Sequence, residues 1–380
     1  MSSNELREAV IVSALRTPVG RAFKGSYRDV RPEDLGACAV RAAIDAVPGL
    51  KNDEIDDVII GCAYPEGPQG LNMARVISIL AGLPVSVPAQ TVNRFCSSGL
   101  QAIATAAERI MAGFADVIVA GGTESMTSVP MTGFHPRPHP ETIEKNPEVF
   151  MGMGLTAEVV AKRYEISRED QDAFAVESHA KAIAAQKAGK FNDEIVAAFG
   201  LEKDECPREG TSAEGLAGLR AAFAAGGSVT PGTSSPLSDG AAAAVVMSRA
   251  KAEELGAEIL GVFRGFAVAG VEPDEMGIGP VVALPKLLER TGVALGDIDL
   301  IELNEAFASQ SLYCIRKLGL DTSKVNVNGG ALALGHPLGA TGAKLTSTLL
   351  HELKRSAGRY GVVTMCIGGG MGAAGLFERV

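Results

Sequence analysis

Four polar residues of this 380-residue chain stand in settings suited to chemistry. Cys96 lies in TVNRFCSSGLQAIATAAERIMAG, where small residues and then a helical run follow the sulfur at once. A thiol at a helix N-terminus meets free N–H groups and the positive end of the macrodipole, which lower its pKa and favour the nucleophilic thiolate. His336, in GGALALGHPLGATGAK, is held between glycines and a proline. Such a corner lets an imidazole project into a cavity and act as base toward a cysteine. Cys366 ends the strand-like VVTMC and precedes IGGGMGAAG, whose glycines let the chain pass close to a ligand and offer N–H groups to an oxyanion. Asn304 opens NEAF after the apolar stretch DIDLIEL. Each has a plainer reading: an inert buried cysteine, a structural histidine, a strand-end core thiol, a polar helix start. Histidines 135, 139, 179 and 351 read as solvated, in a Pro-rich loop or on polar helix faces.

The elements that must position these residues alternate between strand and helix patterns, which points to an α/β protein. Val10–Ser13, Val58–Cys62 and Val117–Ala120 read as strands; Leu35–Ala46 and Gly99–Ala112 read as helices. Glu165–Ala188 reads as a more polar helix with Ser167 as N-cap. One arrangement occurs twice: strand, sharp turn with a reactive side chain, helix, strand, glycines. Val92-Asn93, Cys96, a helix, the 117–120 strand and Gly121-Gly122 are echoed by Val327-Asn328, His336, a helix over about 343–353, Val362–Cys366 and Gly368–Gly370. This predicts an internal duplication. The segment between the halves, richer in Met, Pro and charge, reads as an insertion that forms a lid or binding domain. The boundaries drawn are 1–122 with about 223–250 for the first half, about 123–222 for the insertion and 251–380 for the second half.

Composition narrows the function. The formal charge of −10, 5% aromatics, no tryptophan and the absence of any basic tract argue against a nucleic-acid partner. No apolar run approaches the roughly 20 residues of a membrane span. MSSNELREAVIVSALRTP lacks the pattern of a leader, and six scattered cysteines without CxxC argue against a disulfide frame or zinc site. A cytoplasmic location is expected. Gly370, Gly372 and Gly375 match GxGxxG, but only five residues follow, too few for a dinucleotide fold. Gly335–Lys344 has the wrong spacing for a phosphate loop.

Taken together, TVNRFCSSGLQA, TSSPLSDGAAAAVVMS, NEAFA, NGGALALGHPLGATGA and CIGGGMGAAGLFE resemble, in order, the motifs of the thiolases, as does the opening VIVSALRTPVGRAFKG. The resemblance spans essentially the whole chain. It implies a five-layered αβαβα fold of two duplicated α/β halves, with a loop domain inserted in the first. It makes Cys96 the acyl-accepting nucleophile, His336 its base, and Cys366 the group that moves the substrate's α-proton. Asn304 would hold a water that joins His336 in one oxyanion hole, and the N–H groups of Cys96 and Gly368 would form the other. Ser235 matches a CoA-contacting serine, and Arg208 is placed beside the adenosine end of CoA. No metal or redox cofactor is implied; coenzyme A is a substrate, with 3-ketoacyl-CoA and acetyl-CoA.

Biosynthetic thiolases carry a histidine where this chain has Gly152, before Met153-Gly154-Leu155-Thr156-Ala157-Glu158. Its loss should open the acyl pocket, so the resemblance is greatest to the degradative 3-ketoacyl-CoA enzymes of fatty-acid β-oxidation. An acetyl-CoA C-acetyltransferase, a fatty-acid condensing enzyme and a non-catalytic acyl-CoA-binding protein are the rival readings. The family also implies a homodimer or homotetramer and, for degradative members, association with a hydratase–dehydrogenase subunit.

Overall fold

The computed structural model describes residues 7–380; the first six residues, part of the stretch read as lacking a leader, lie outside it. The chain opens with β1 (Ala9–Arg16) and the short β2 (Gly20–Arg21), then α1 (Pro32–Asp45), β3 (Asp57–Gly61), α2 (Met73–Leu80), β4 (Ala89–Val92), α3 (Ser98–Met111) and β5 (Val117–Ser125). It leaves the sheet over residues 126–237, against about 123–222 drawn from sequence. This excursion carries α4 (Pro140–Lys145), α5 (Met153–Arg163), α6 (Arg168–Lys187) and α7 (Ala213–Ala217). As expected, Ser167 caps α6, accepting from the Asp170 N–H. The chain returns as β6 (Ser238–Ser248) and α8 (Arg249–Leu255). The second half runs β7 (Gly261–Gly270), α9 (Gly279–Thr291), β8 (Ile298–Leu303), α10 (Ala308–Leu318), the single turn α11 (Ala331–Leu334), α12 (Leu338–Ser356), β9 (Tyr360–Ile367) and β10 (Met371–Glu378).

The halves repeat one topology. In the first, the order is β4-β3-β5-β6-β1, with β3 parallel to both β4 and β5 and the remaining pairs antiparallel. In the second, β8-β9-β10-β7 reproduces β3-β5-β6-β1, again with one parallel pair followed by antiparallel ones. Val10 and Ile11 of β1 pair with Val262 and Gly261 of β7, so the two sheets run into one another.

Alternation along the strands sets the layers. In β5, Val117 and Val119 face an outer core with Leu35 and Val40 of α1 and Ile77 of α2, while Ile118 and Ala120 face inward. The inward core holds Leu100, Ile103 and Ala107 of α3 together with Leu345, Leu349 and Leu353 of α12, and also Val363 and Met365 of β9. A third core packs Leu284 and Leu287 of α9 and Ile315 of α10 on β8 and β9. The five layers are therefore α1/α2, first sheet, α3/α12, second sheet, α9/α10. The two central helices meet closely because both lack side chains at the contact. A Cβ on Gly99 would stand 2.8 Å from the Ala343 nitrogen, and one on Gly342 2.3 Å from the Leu100 nitrogen.

One expected strand is missing. Val327-Asn328 is a turn, and the counterpart of β4 shrinks to a single parallel bridge between Val325 and Ile301. The Asn326 side chain takes the ladder's place: its Oδ1 accepts from Leu303 N and its Nδ2 donates to Leu303 O, both at 2.8 Å.

Candidate active site

The duplicated topology brings equivalent chain ends to one place. The segment before α3 carries Cys96, and the segment before α12 carries His336. Asn304 follows β8, and Cys366 lies near the end of β9. All four are buried.

Cys96 sits in a 3-10 turn, Phe95–Ser97, that leads into α3. Phe95 has φ +42°, a left-handed conformation costly for an aromatic residue. Its surroundings enforce it: Phe95 N donates to Asn93 Oδ1 at 2.8 Å, and Ser98 Oγ donates to Phe95 O at 2.6 Å. The Phe95 ring lies against Gly368, the first residue of the turn between β9 and β10. The N–H groups of Gly368 and of Cys96 itself face the Cys96 sulfur. The thiol's pKa departs from the sequence expectation. Burial pushes it up to about 11, and the two N–H groups offset this only in part. A thiol held in this state needs a base before it can attack.

The His336 imidazole is a group able to act as one. Its Nδ1 lies 2.6 Å from Thr341 Oγ1, and that hydroxyl donates to Pro337 O at 3.0 Å. With the hydroxyl proton so engaged, Nδ1 carries the ring proton and Nε2 keeps its lone pair. Nε2 faces Asn304 Nδ2 at 3.3 Å. Burial, with Lys344 nearby, pushes the imidazole pKa down to about 3, which keeps the ring neutral. Asn304 Oδ1 is buried without a protein partner. Burial raises the Cys366 thiol well above its ordinary pKa, helped by the proximity of Cys96.

His336 lines a cleft of about 370 Å³ together with Met153, Phe223, Phe307, Ser235 and Arg208. Cys96 packs with Met126 and Leu338, and Cys366 with Ala306 and Phe307, all four of which also line it. Ser235 N donates to Ala306 O at 3.0 Å, tying the insertion to NEAF. Gly152 precedes α5, and a Cβ there would meet nothing within 4 Å. Among the described residues there is no group of three His, Cys, Asp or Glu able to hold a metal, and no helix long and apolar enough to cross a membrane.

Two histidines read as solvated are buried. His179 accepts from Arg208 N at 3.1 Å, and His351 Nε2 lies 3.1 Å from Ala14 O. His179 is covered by the insertion's own Arg208 segment and His351 by β1 of the first half, neither of which local sequence reveals. Sequence reasoning also passed over Thr341, Gln310 and Glu124. Glu124 accepts from Ala63 N, Gln69 Nε2 and Gly339 N at 2.7, 2.7 and 2.8 Å, joining the loop after β3 to the start of α12. A lone carboxylate after two strand glycines was the signal for it.

Residues 9–250 match the thiolase N-terminal domain and residues 257–379 the thiolase C-terminal domain. The chain is 57% identical to the 3-ketoacyl-CoA thiolase of Bacillus subtilis, over 98% of this chain and 100% of that protein. It is 47% identical to the peroxisomal 3-ketoacyl-CoA thiolase B of Mus musculus, over 98% and 91% of the two chains. The crystal structure of the Bacillus anthracis acetyl-CoA acetyltransferase superposes with a TM-score of 0.91 at 41% identity, covering all of both chains. With both domains matched in order on this fold, the chain belongs to the thiolase family.

Proposed function

We propose that the protein is a 3-ketoacyl-CoA thiolase of fatty-acid β-oxidation, which cleaves 3-ketoacyl-CoA with CoA into acetyl-CoA and a shortened acyl-CoA. The observation that carries this reading is the pairing of a buried thiol, faced by the Cys96 and Gly368 N–H groups, with a neutral imidazole whose Nε2 bears no proton and accepts only from the Asn304 amide. Its relatives named 3-ketoacyl-CoA thiolase support it.

His336 Nε2 takes the proton of Cys96, and the sulfur attacks the 3-keto carbon. The new oxyanion, on the carbon bound to sulfur, falls at the Cys96 and Gly368 N–H groups. Donors of this kind are worth about 2.7–4 kcal/mol each. The C2–C3 bond then breaks, and its electron pair passes into an acetyl-CoA enolate. The enolate oxygen meets His336 Nε2, now carrying a proton, together with a water accepted by Asn304 Oδ1. Cys366 gives its proton to the α-carbon. A second CoA gives its thiol proton to the Cys366 thiolate and cleaves the acyl-enzyme, and the released Cys96 sulfur takes its proton back from His336, so both residues are reset and the kinetics are ping-pong. Arg208 and Ser235 hold the CoA, the arginine as a cationic partner for its phosphates. The sequence of steps requires neither a metal nor a redox cofactor.

Six free cysteines fit a reducing cytoplasm. Val76, Ile79 and Leu80 of α2 are exposed beside the free edge of β4, which fits a homodimer or a tetramer built from it. Association with a hydratase–dehydrogenase subunit is the further partnership we infer, from the degradative reading alone.

CoA-dependent loss of 3-ketoacyl-CoA, compared for four-carbon and eight-carbon substrates, tests the reading. Faster cleavage of the longer substrate supports it and the open position at Gly152. Activity on the four-carbon substrate alone moves the protein to the acetyltransferase branch, the function named for the structural relative. Binding without turnover makes it an acyl-CoA-binding protein.

A further inference from the structure

Gln310, in the first turn of α10, is wholly buried beside Cys366 and has no part in the chemistry above. Its neighbours dictate how the amide is turned. One terminal atom lies 2.7 Å from the Ser311 N–H and must be the oxygen; the other lies 3.1 Å from the Asn304 carbonyl oxygen and must be the nitrogen. The atom on the nitrogen side stands 3.4 Å from Cys366 Sγ. One amide proton goes to the Asn304 carbonyl, which leaves the other for the sulfur. The stem cannot swing away, because Gly277 packs on it so closely that a Cβ there would lie 2.6 Å from Gln310 Cβ.

We propose that Gln310 is a positioning residue for the proton transfer at Cys366, holding its sulfur and donating a hydrogen bond to the thiolate. The inference rests on the thiolase reading. When Cys366 gives its proton to the acetyl-CoA α-carbon, the S–H bond breaks, the C–H bond forms and the electron pair stays on sulfur. That anion lies in a buried site where an N–H donor matters most. The same bond stabilises the thiolate that removes an α-proton in the reverse direction. It also links the two catalytic residues, since the amide that grips Cys366 also holds the backbone of Asn304.

Deuterium uptake into the acetyl group of acetyl-CoA in D2O reads this step apart from acyl transfer. Gln310→Met keeps the side-chain length and removes the donor; Gln310→Leu gives an independent second variant. Exchange is expected to fall about 10–100-fold, and its pH midpoint to rise by about 1–2 units, because a hydrogen bond to a charged group is lost. Acetylation of Cys96 by acetyl-CoA is expected to persist in both variants. Unchanged exchange and midpoint overturn the proposal. So does a parallel loss of Cys96 acetylation and exchange in both variants, which would make Gln310 merely structural. A wild-type protein that neither acetylates nor exchanges defeats the thiolase reading itself, a result distinct from either.

Discussion

Thr341 Oγ1 lies 2.6 Å from His336 Nδ1, five residues away across the start of α12, and thereby decides which imidazole nitrogen carries the ring proton. The hydroxyl's own proton is committed to Pro337 O, so it can only accept from the ring. Thr341→Val keeps the shape and removes that acceptor. Neutral His336 is then free to place its proton on Nε2, where it cannot deprotonate Cys96. We expect kcat to fall about 10–100-fold with KM little changed, and stability to drop by about 1–3 kcal/mol for the orphaned N–H. Thr341→Ser should restore most of the rate; equal rates for Val and wild type would show that the hydroxyl does not select the tautomer.

The buried neutral state of His336 also shapes stability against pH. Its folded pKa is depressed to about 3, mainly by burial, against an unfolded value of 6.5. Below pH 6.5 the unfolded chain takes up a proton that the folded chain refuses. The contribution is fully present above pH 6.5 and is lost as pH falls toward about 3, at about 1.4 kcal/mol per pH unit. Between pH 6.5 and 5 the wild type should therefore lose about 2 kcal/mol relative to His336→Asn. Other titrating groups are common to both proteins and cancel. Parallel denaturation curves for the two proteins over this range would contradict a buried neutral ring.

Gly342 stands where the two central helices press together. A Cβ there would lie 2.3 Å from the Leu100 backbone nitrogen, which cannot rotate aside. Gly342→Ala must push α12 away from α3, and both helices carry the reactive segments at their N-termini. We expect a cost of about 3 kcal/mol or more and a loss of activity greater than the unfolded fraction explains. Gly256→Ala, where a Cβ meets nothing within 4 Å but φ is +62°, controls for backbone conformation alone. Denaturant melts with activity measured on the folded fraction separate the two effects.

Cys96, His336, Cys366 and Asn304 were legible because their settings are local: a thiol before a helix, an imidazole between glycine and proline, polar residues at strand ends. Thr341 and Gln310 were not, because each acts through a partner that only the assembled site turns toward it. The pKa of Cys96 shows the same limit. The helix N-terminus that sequence reveals favours the thiolate, but desolvation, a property of the closed core, outweighs it. Val327-Asn328 carried the composition of a strand, yet the Asn326 amide satisfied Leu303 from a side chain and left no ladder to continue.

Glu124 has the longest reach of these hidden contacts, bonding Gly339 from 215 residues away. Every group bonded to its carboxylate is a donor: the N–H of Ala63 and Gly339, the Gln69 amide, the N–H of Tyr64 at 3.3 Å and the Cys62 thiol at 3.7 Å. Burial pushes its pKa upward, but only the ionised form can accept from all five. From Ala63 the chain of bonds continues: Ala63 O accepts from Asn93 Nδ2 at 2.9 Å, and Asn93 Oδ1 holds the strained Phe95 before the nucleophile. One carboxylate thus fixes the start of the His336 helix and the turn that bears Cys96. Glu124→Gln presents an NH2 group to donors and removes the charge. Each buried donor left unsatisfied costs about 1–3 kcal/mol. Where the variant is still folded, the thiol and imidazole should fall out of register, so acylation of Cys96 should slow more than substrate binding weakens. Rapid-quench measurement of acyl-enzyme formation, set beside the Kd for acyl-CoA, distinguishes this from a general loosening: a proportionate loss in both would show that Glu124 supports the fold and not the alignment.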